Sequence, residues 1–493
     1  MRMLTRWLDQ GRRKNFSVSW PQNRIKSHDR QFRYTQMVCQ SPGVEIGQTR
    51  GGPNMTNASR SWAQVFLCTL IGCSGLTLAN KAWGQGVYIP SVGPINQSMG
   101  GATVAAPIDA IGSLAWNPAA ISGLPQSEVA FGLGLVLPTT SLSSAIPGFG
   151  LAGTSDSEPG VAPVPTIGLV HHVADSPWTL GLGIFGVGGF SANYAASNTN
   201  PILMPQPNAG MPLGGLGRIF AQAQIFQIVP TVSYAFSERF SIGFAPTITL
   251  AGLIADPMVF AAPNDANGDG FFTYGPGSGT RMAWGGGFQV GAYLTTESCW
   301  NWGLSYKSPQ WMEPFRYNSQ DELGGPTFAE VNFDLPSIFS LGLSYTGFER
   351  WLFATDFRYF DYANTTGFGD QGFRPDGSVA GLGWDSVFSF SQGVQYQSTD
   401  NLTLRTGYTF NTNPISDEQT MFNVASSLII QHWYSLGATY RWNECISTTV
   451  AWTHGFQNEV TGPLQTPAGP VAGTSVTTRV SADILNFGAT ITY

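Results

Sequence analysis

From Ser127 to the last residue the chain alternates with a period of two, and it does so in fourteen separate segments. SEVAFGLGLVLP sets Val129, Phe131, Leu133, Leu135 and Leu137 against Ala130, Gly132, Gly134 and Val136. RFSIGFAPTITL sets Phe240, Ile242, Phe244, Pro246, Ile248 and Leu250 against Ser241, Gly243, Ala245, Thr247 and Thr249. NLTLRTGYTF sets Leu402, Leu404, Tyr408 and Phe410 against Asn401, Thr403, Arg405 and Thr409. Successive side chains of a strand point to opposite faces, so each segment has a large apolar face and a small or polar one. The segments lie near 127–138, 163–173, 178–189, 222–235, 239–251, 282–295, 299–307, 336–346, 350–361, 386–397, 400–411, 431–442, 445–456 and 481–493. Short turns (FSER, TTESC, TGFER, QSTDN, WNEC) alternate strictly with long polar or Gly/Pro-rich loops. An even number of such strands, with short turns at one rim and long loops at the other, predicts an all-β, antiparallel outer-membrane barrel over 127–493. A soluble sandwich also alternates, but it has no need of two classes of loop.

Composition agrees. Charged residues make up 11% of the chain, against roughly 25% in ordinary soluble domains. No run of about 20 apolar residues follows residue 84, so spanning helices are not expected there. Beyond residue 84 eleven basic residues face 27 acidic ones, which is a poor balance for binding nucleic acid. Two cysteines remain in that region, Cys299 and Cys445. They fall in turns six strands apart in a ring of fourteen, well beyond the roughly 7 Å Cα separation that a disulfide allows, so they are not expected to pair.

Residues 1–54 are basic and aperiodic, and read as a mis-called extension before a true start at Met55. Residues 55–84 read as a signal peptide: Arg60, an apolar stretch, then Ala82 and Gly84 before Gln85. A competing reading makes Cys73, in LIGC, a lipidated cysteine.

Residues 85–126 are rich in Gly and Ala and nearly uncharged, and precede the first strand at the short-turn rim. Small residues permit close approach to a barrel wall, so this unit is expected to fold into the lumen as a plug, or hatch. Within IGSLAWNPAAISGL, Asn117 reads as a helix N-cap, Pro118 as the first helical residue and Gly123 as a left-handed stop. The expected helical turn is 118–122.

The hatch sequence MGGATVAAPIDAIGSLAWNPAAISGL, with its Asn117-Pro118-Ala119 motif, resembles that of the FadL/TodX outer-membrane transporters. So do VPTVSYAFSERFSIGFAPTI, WNWGLSYKSP, LPSIFSLGLSY, LTLRTGYTFNTNPI and the closing ILNFGATITY. The resemblance runs from about residue 86 to 493. It implies a fourteen-stranded barrel, plugged from the periplasmic side, for passive uptake of long-chain fatty acids or aromatic hydrocarbons. Such ligands would be caught at the outer loops and released sideways at a kink in the third strand. Gly186, Gly188 and Gly189 in the third segment could form that kink, or merely relieve crowding in the wall.

Alternation turns Arg281, Lys307, Arg358, Arg405 and Arg441 inward. Arg281, Lys307 and Arg358 are candidates for a ligand carboxylate; alternatively, such residues pair with inward acids such as Asp356 or hold the hatch. Loop 190–221 carries Leu203, Met204, Met211 and Leu213, either a candidate apolar groove or inert packing. NDANGDGFF (264–272) resembles half a calcium loop, but Pro276 stands where the bidentate acid should be, so a tight turn is expected. His171 and His172 fall on opposite faces of a strand and cannot share a metal. No catalytic constellation, metal site or cofactor is expected. The expected partners are hydrophobic small molecules and membrane lipid or detergent, with the chain a monomer. A porin-like or structural barrel, and less so a lipid hydrolase, remain the alternative functions.

Overall fold

The computed structural model describes residues 85–277 and 279–493. The expected extension, signal peptide and Cys73 lie outside them. Fourteen antiparallel strands close into a barrel: β1 (Glu128–Ile146), β2 (Ala162–His172), β3 (Trp178–Tyr194), β4 (Ile219–Ala235), β5 (Phe240–Asp256), β6 (Arg281–Thr295), β7 (Trp300–Lys307), β8 (Ile338–Tyr345), β9 (Trp351–Phe360), β10 (Val387–Gln397), β11 (Leu402–Asn411), β12 (His432–Arg441), β13 (Ile446–Thr466) and β14 (Gly469–Thr492). β14 returns to β1, in register from Glu128↔Thr492 to Ala145↔Ser475. The faces fall as the alternation requires: Phe131, Leu133, Phe244 and Leu404 are exposed, whereas Ser241, Thr247, Thr249, Arg405 and Thr409 are buried. In a barrel that spans a membrane the exposed apolar face meets lipid.

Aromatic pairs ring the short-turn rim, among them Trp178–Tyr234 (4.7 Å), Trp300–Tyr345 (4.7 Å), Trp351–Tyr396 (4.4 Å) and Tyr440–Trp442 (4.8 Å). They form one interfacial girdle. Cys445 in the β12–β13 turn is free and exposed, so it does not pair with Cys299. A membrane-impermeant maleimide should label Cys445 only once the outer membrane has been breached; labelling in intact cells would invert the barrel's orientation.

The connections depart from strict alternation at one place. β13 and β14 run on past the expected segments and meet at a two-residue turn, with Thr466 opposite Gly469. A two-residue hairpin needs no long loop because its own twist continues that of the strands. Elsewhere the outer loops carry structure of their own, including a hairpin of Phe315–Gln320 with Pro326–Val331.

Candidate functional site

The hatch has two short helices, α1 (Pro94–Ser98) and α2 (Ala110–Trp116), and a 3₁₀ turn at Ala120–Gly123. This corrects the expected turn at 118–122. Asn117 ends α2, its backbone N–H bonding to Ser113 O at 2.9 Å, rather than beginning a helix. The N-cap of α2 is Asp109, whose carboxylate accepts from Gly112 N at 3.2 Å. Burial pushes the Asp109 carboxyl up to about 6. Gly123 is not left-handed, because the turn closes through the N–H of Leu124 instead.

Asn117 works as an anchor. Its Nδ2 donates to Val104 O (2.8 Å) within the hatch and to Ala292 O (3.1 Å) on β6, while Oδ1 accepts from Ala119 N (3.1 Å). Ser241 Oγ of β5 donates to Ala119 O at 3.0 Å. The wall makes room for this motif with glycine. A Cβ on Gly243 would overlap the Pro118 carbonyl, and one on Gly291 would overlap Asn117 Oδ1. Asn117→Ala should weaken hatch seating by about 1–3 kcal/mol, the cost of leaving buried carbonyls unpaired, without preventing barrel assembly. Protease sensitivity of the N-terminal segment measures the first, and heat-modifiable gel mobility the second.

Two of the three proposed carboxylate-binding cations are committed to the hatch. Lys307 Nζ donates to Ala115 O (3.3 Å) and Gln227 Oε1 (3.2 Å). Arg358 pairs with Asp356 at 2.8 Å, bonds to Gly101 O and lies 3.8 Å from the Trp116 ring centroid. Asp356 in turn accepts from Thr103 N (2.8 Å) and Val104 N (3.0 Å). The reason is axial position: β7 is only eight residues long, so Lys307 at its end stands level with α2, not at the ligand entrance. Arg281 lies 5.8 Å from the Tyr317 ring centroid and opposite Leu253 in the β5–β6 ladder, outside the lining of the cavity described next. Arg405 bonds to Gln395 and Thr439.

Above the hatch, under the outer loops, is an apolar cavity of ≈ 130 Å³. Phe190, Phe260, Phe315, Phe333, Phe368, Phe373 and Phe422 line it with Leu253 and Leu335. None of Leu203, Met204, Met211 and Leu213 does, which corrects the expected groove. Leu203 is fully buried in a satellite core with Leu142 and Val476, because Asn200 and Ile202 tie its 3₁₀ turn to β1 (Asn200 Nδ2 to Leu142 O, 2.9 Å; Ile202 N to Ser144 Oγ, 3.1 Å). Between the end of β3 and the start of β4 only Leu216 reaches the cavity. The 264–272 loop is a polar turn tied to Glu322 through Thr273 Oγ1 at 2.6 Å, and no metal cluster occurs among the described residues.

A second chamber of ≈ 160 Å³ opens at the wall. The β2–β3 ladder stops at Thr166↔Phe185; above it β3 pairs with β4 on one side and on the other leaves β2 for a single bridge, Gly188 to Tyr88 of the N-terminal segment. At that point Val187 is an extra residue, since Gly186 faces Phe226 and Gly188 faces Ile225. Pro163 and Pro165 lie on the facing edge of β2. Proline lacks the N–H that a ladder needs and belongs on an edge; these two residues were a sequence signal for the gap. The N-terminal segment crosses behind it, with Ile89 N bonded to Val187 O and Gly189 N to Val87 O, both at 3.0 Å. Tyr362 Oη accepts from Val87 N at 3.0 Å and fastens the segment to the far side.

The model of the outer membrane protein transport family (OMPP1/FadL/TodX) matches residues 75–493. The chain belongs to the FadL/TodX family. Its members are transporters of the outer membrane, where this barrel resides. Among solved structures, the P. putida toluene transporter TodX superposes with a TM-score of 0.60 at 16% identity, covering 82% of this chain and 99% of its own. A Pseudomonas aeruginosa FadL homologue gives 0.62 at 16%, covering 83% and 99%. The Ralstonia pickettii toluene transporter TbuX gives 0.58 at 15%, covering 82% and 99%. At these identities the likeness speaks for the fold. Comparison with curated protein sequences found no match.

Proposed function

We propose that this FadL/TodX-family barrel admits small neutral hydrophobic molecules by passive diffusion, catching them in the outer cavity and releasing them sideways through the gap between β2 and β3. The observation that carries this reading is that the two chambers are neighbours, with Val87, Phe190, Ala223 and Ile225 lining both. Size and charge favour one of the two ligand classes that the family suggests. A dry apolar cavity of roughly 150 Å³ suffices for benzene, so volumes of ≈ 130 and ≈ 160 Å³ suit one aromatic ring better than a long acyl chain. Among the described residues no basic side chain lines the outer cavity; Asp256 does, and burial pushes the Tyr274 hydroxyl up to about 12, keeping it neutral. A fatty-acid carboxylate would lose its hydration there with no cation to receive it. TodX and TbuX are both described as toluene transporters, in keeping with this choice.

Cells expressing the protein should take up labelled ethylbenzene faster than control cells, and faster than they take up palmitate. Leu253→Trp, which fills the outer cavity, should cut ethylbenzene entry about tenfold, the effect of 1.4 kcal/mol. Entry of small sugars without entry of ethylbenzene would favour a porin-like barrel. Phospholipid hydrolysis by the purified protein would favour an enzyme.

A further inference from the structure

The two chambers differ in a way that hydrocarbon cargo does not explain. Among the described residues, no side chain lining the outer cavity carries a buried polar atom without a hydrogen-bond partner, whereas three lining the wall chamber do. These are the Gln85 amide, with both Nε2 and Oε1 unpartnered, the Tyr88 hydroxyl and the Trp433 indole N–H. The three residues are only 3%, 4% and 8% exposed. A smaller void of ≈ 10 Å³ adjoins the chamber through Ile89, Val136, Val164 and Ile484, and is lined by two more such residues, Gln97 and Thr166. That void is the size of a single water.

Buried polar groups are almost always hydrogen-bonded, so a set left open marks where a polar partner belongs. At ≈ 160 Å³ the wall chamber has room for more than one water, and among the described residues no Asp, Glu, Lys or Arg lines it. Its side chains therefore suit a mostly apolar occupant with a polar atom of its own. The open groups include both kinds of partner: Trp433 can only donate, whereas the amide of Gln85 both donates and accepts. A hydroxyl meets both, accepting from one and donating to the other. A hydrocarbon meets neither.

We infer that the wall chamber is a binding site for a hydrophobic molecule bearing one hydroxyl group, an alkylphenol or aromatic alcohol, with its oxygen among the open groups of Gln85, Tyr88 and Trp433. This rests on the uptake reading above and narrows it from hydrophobic compounds at large to hydroxylated ones at the exit.

The test titrates purified full-length protein in detergent with 4-ethylphenol and with ethylbenzene, each affinity being taken relative to partition into protein-free micelles. On that scale 4-ethylphenol should bind about tenfold better, as one net hydrogen bond implies. In Gln85→Leu and in Trp433→Phe the ratio should fall towards one; heat-modifiable gel mobility checks that each variant is folded. A loss of packing alone would weaken both ligands and leave the ratio in place. No preference in the wild type, or a preference that both variants keep, would overturn the site and assign the open groups to water. Ethylbenzene that binds and enters cells without a phenol preference would leave the uptake reading standing, whereas failure of both ligands to bind or enter would remove that reading too.

Discussion

Replacing Arg358 with Met should unseat the hatch and turn a closed barrel into a leaky one. The guanidinium is fully enclosed between Asp356, the Trp116 ring and the carbonyl of Gly101. Its loss leaves the Asp356 carboxylate in a dry site with only the N–H groups of Thr103 and Val104. Breaking a buried ion pair by removing one partner costs about 3–5 kcal/mol. The barrel ladders do not depend on this pair, so the cost falls on the docking of residues 99–116. Single-channel conductance in planar bilayers should rise severalfold, and cells should become sensitive to vancomycin, which a closed barrel excludes. Arg358→Lys should rescue only in part, since an ammonium keeps the charge but cannot match the flat guanidinium over the Trp116 ring. Unchanged conductance in Arg358→Met would show that the hatch is held elsewhere.

Deleting Val187 should abolish most hydrophobe uptake while leaving the barrel assembled. This residue is the surplus in the β3–β4 ladder, and with it gone Gly186 and Gly188 become consecutive opposite Phe226 and Ile225. A bulge bends its strand and breaks local pairing, so removing it lets β3 run straight and approach the free edge of β2 at Ala162–Pro165. Ethylbenzene uptake should fall at least tenfold, whereas binding to the outer cavity should persist, because most of its lining comes from β4, β5 and the outer loops. Uptake at the wild-type rate would mean that cargo leaves downward past the hatch and not sideways.

The barrel was legible because its signal is repeated: fourteen alternating segments each vote for the same architecture, and an error in one leaves the count intact. The hatch was legible as a unit but not in detail. AIGSLAW does set Ile111, Leu114 and Ala115 at helical spacing, but its seven residues are too short a stretch for that period to stand out, so α2 escaped notice and Asn117 was assigned to the wrong side of its helix boundary. Alternation turned Lys307 and Arg358 inward correctly, yet it carries no information on height along the barrel axis, and height decides whether an inward cation meets ligand or plug. The outer cavity was the least visible part. Phe260, Phe333, Phe373 and Phe422 come from four different loops, and no spacing rule brings them together. Leu203 and Met204 looked like a groove wall because an apolar loop residue leaves no record in the sequence of whether it faces a cavity or packs beneath its own turn.

The glycines that admit the Asn117–Ala119 motif divide the barrel's freedom to change. In its lower half the wall must stay bare where hatch backbone lies against it: at Gly243 and Gly291 even an alanine would displace the plug, since the atoms it would strike are main chain or a committed amide. In its upper half much of the lining comes from loop side chains that can be exchanged for others of different size without touching that contact. Retuning for a new cargo and keeping the membrane sealed are thus separate problems for this chain. Loop substitutions can explore the first while the lower wall stands still, so new substrate preferences are accessible by single steps that do not expose the cell to what the barrel keeps out.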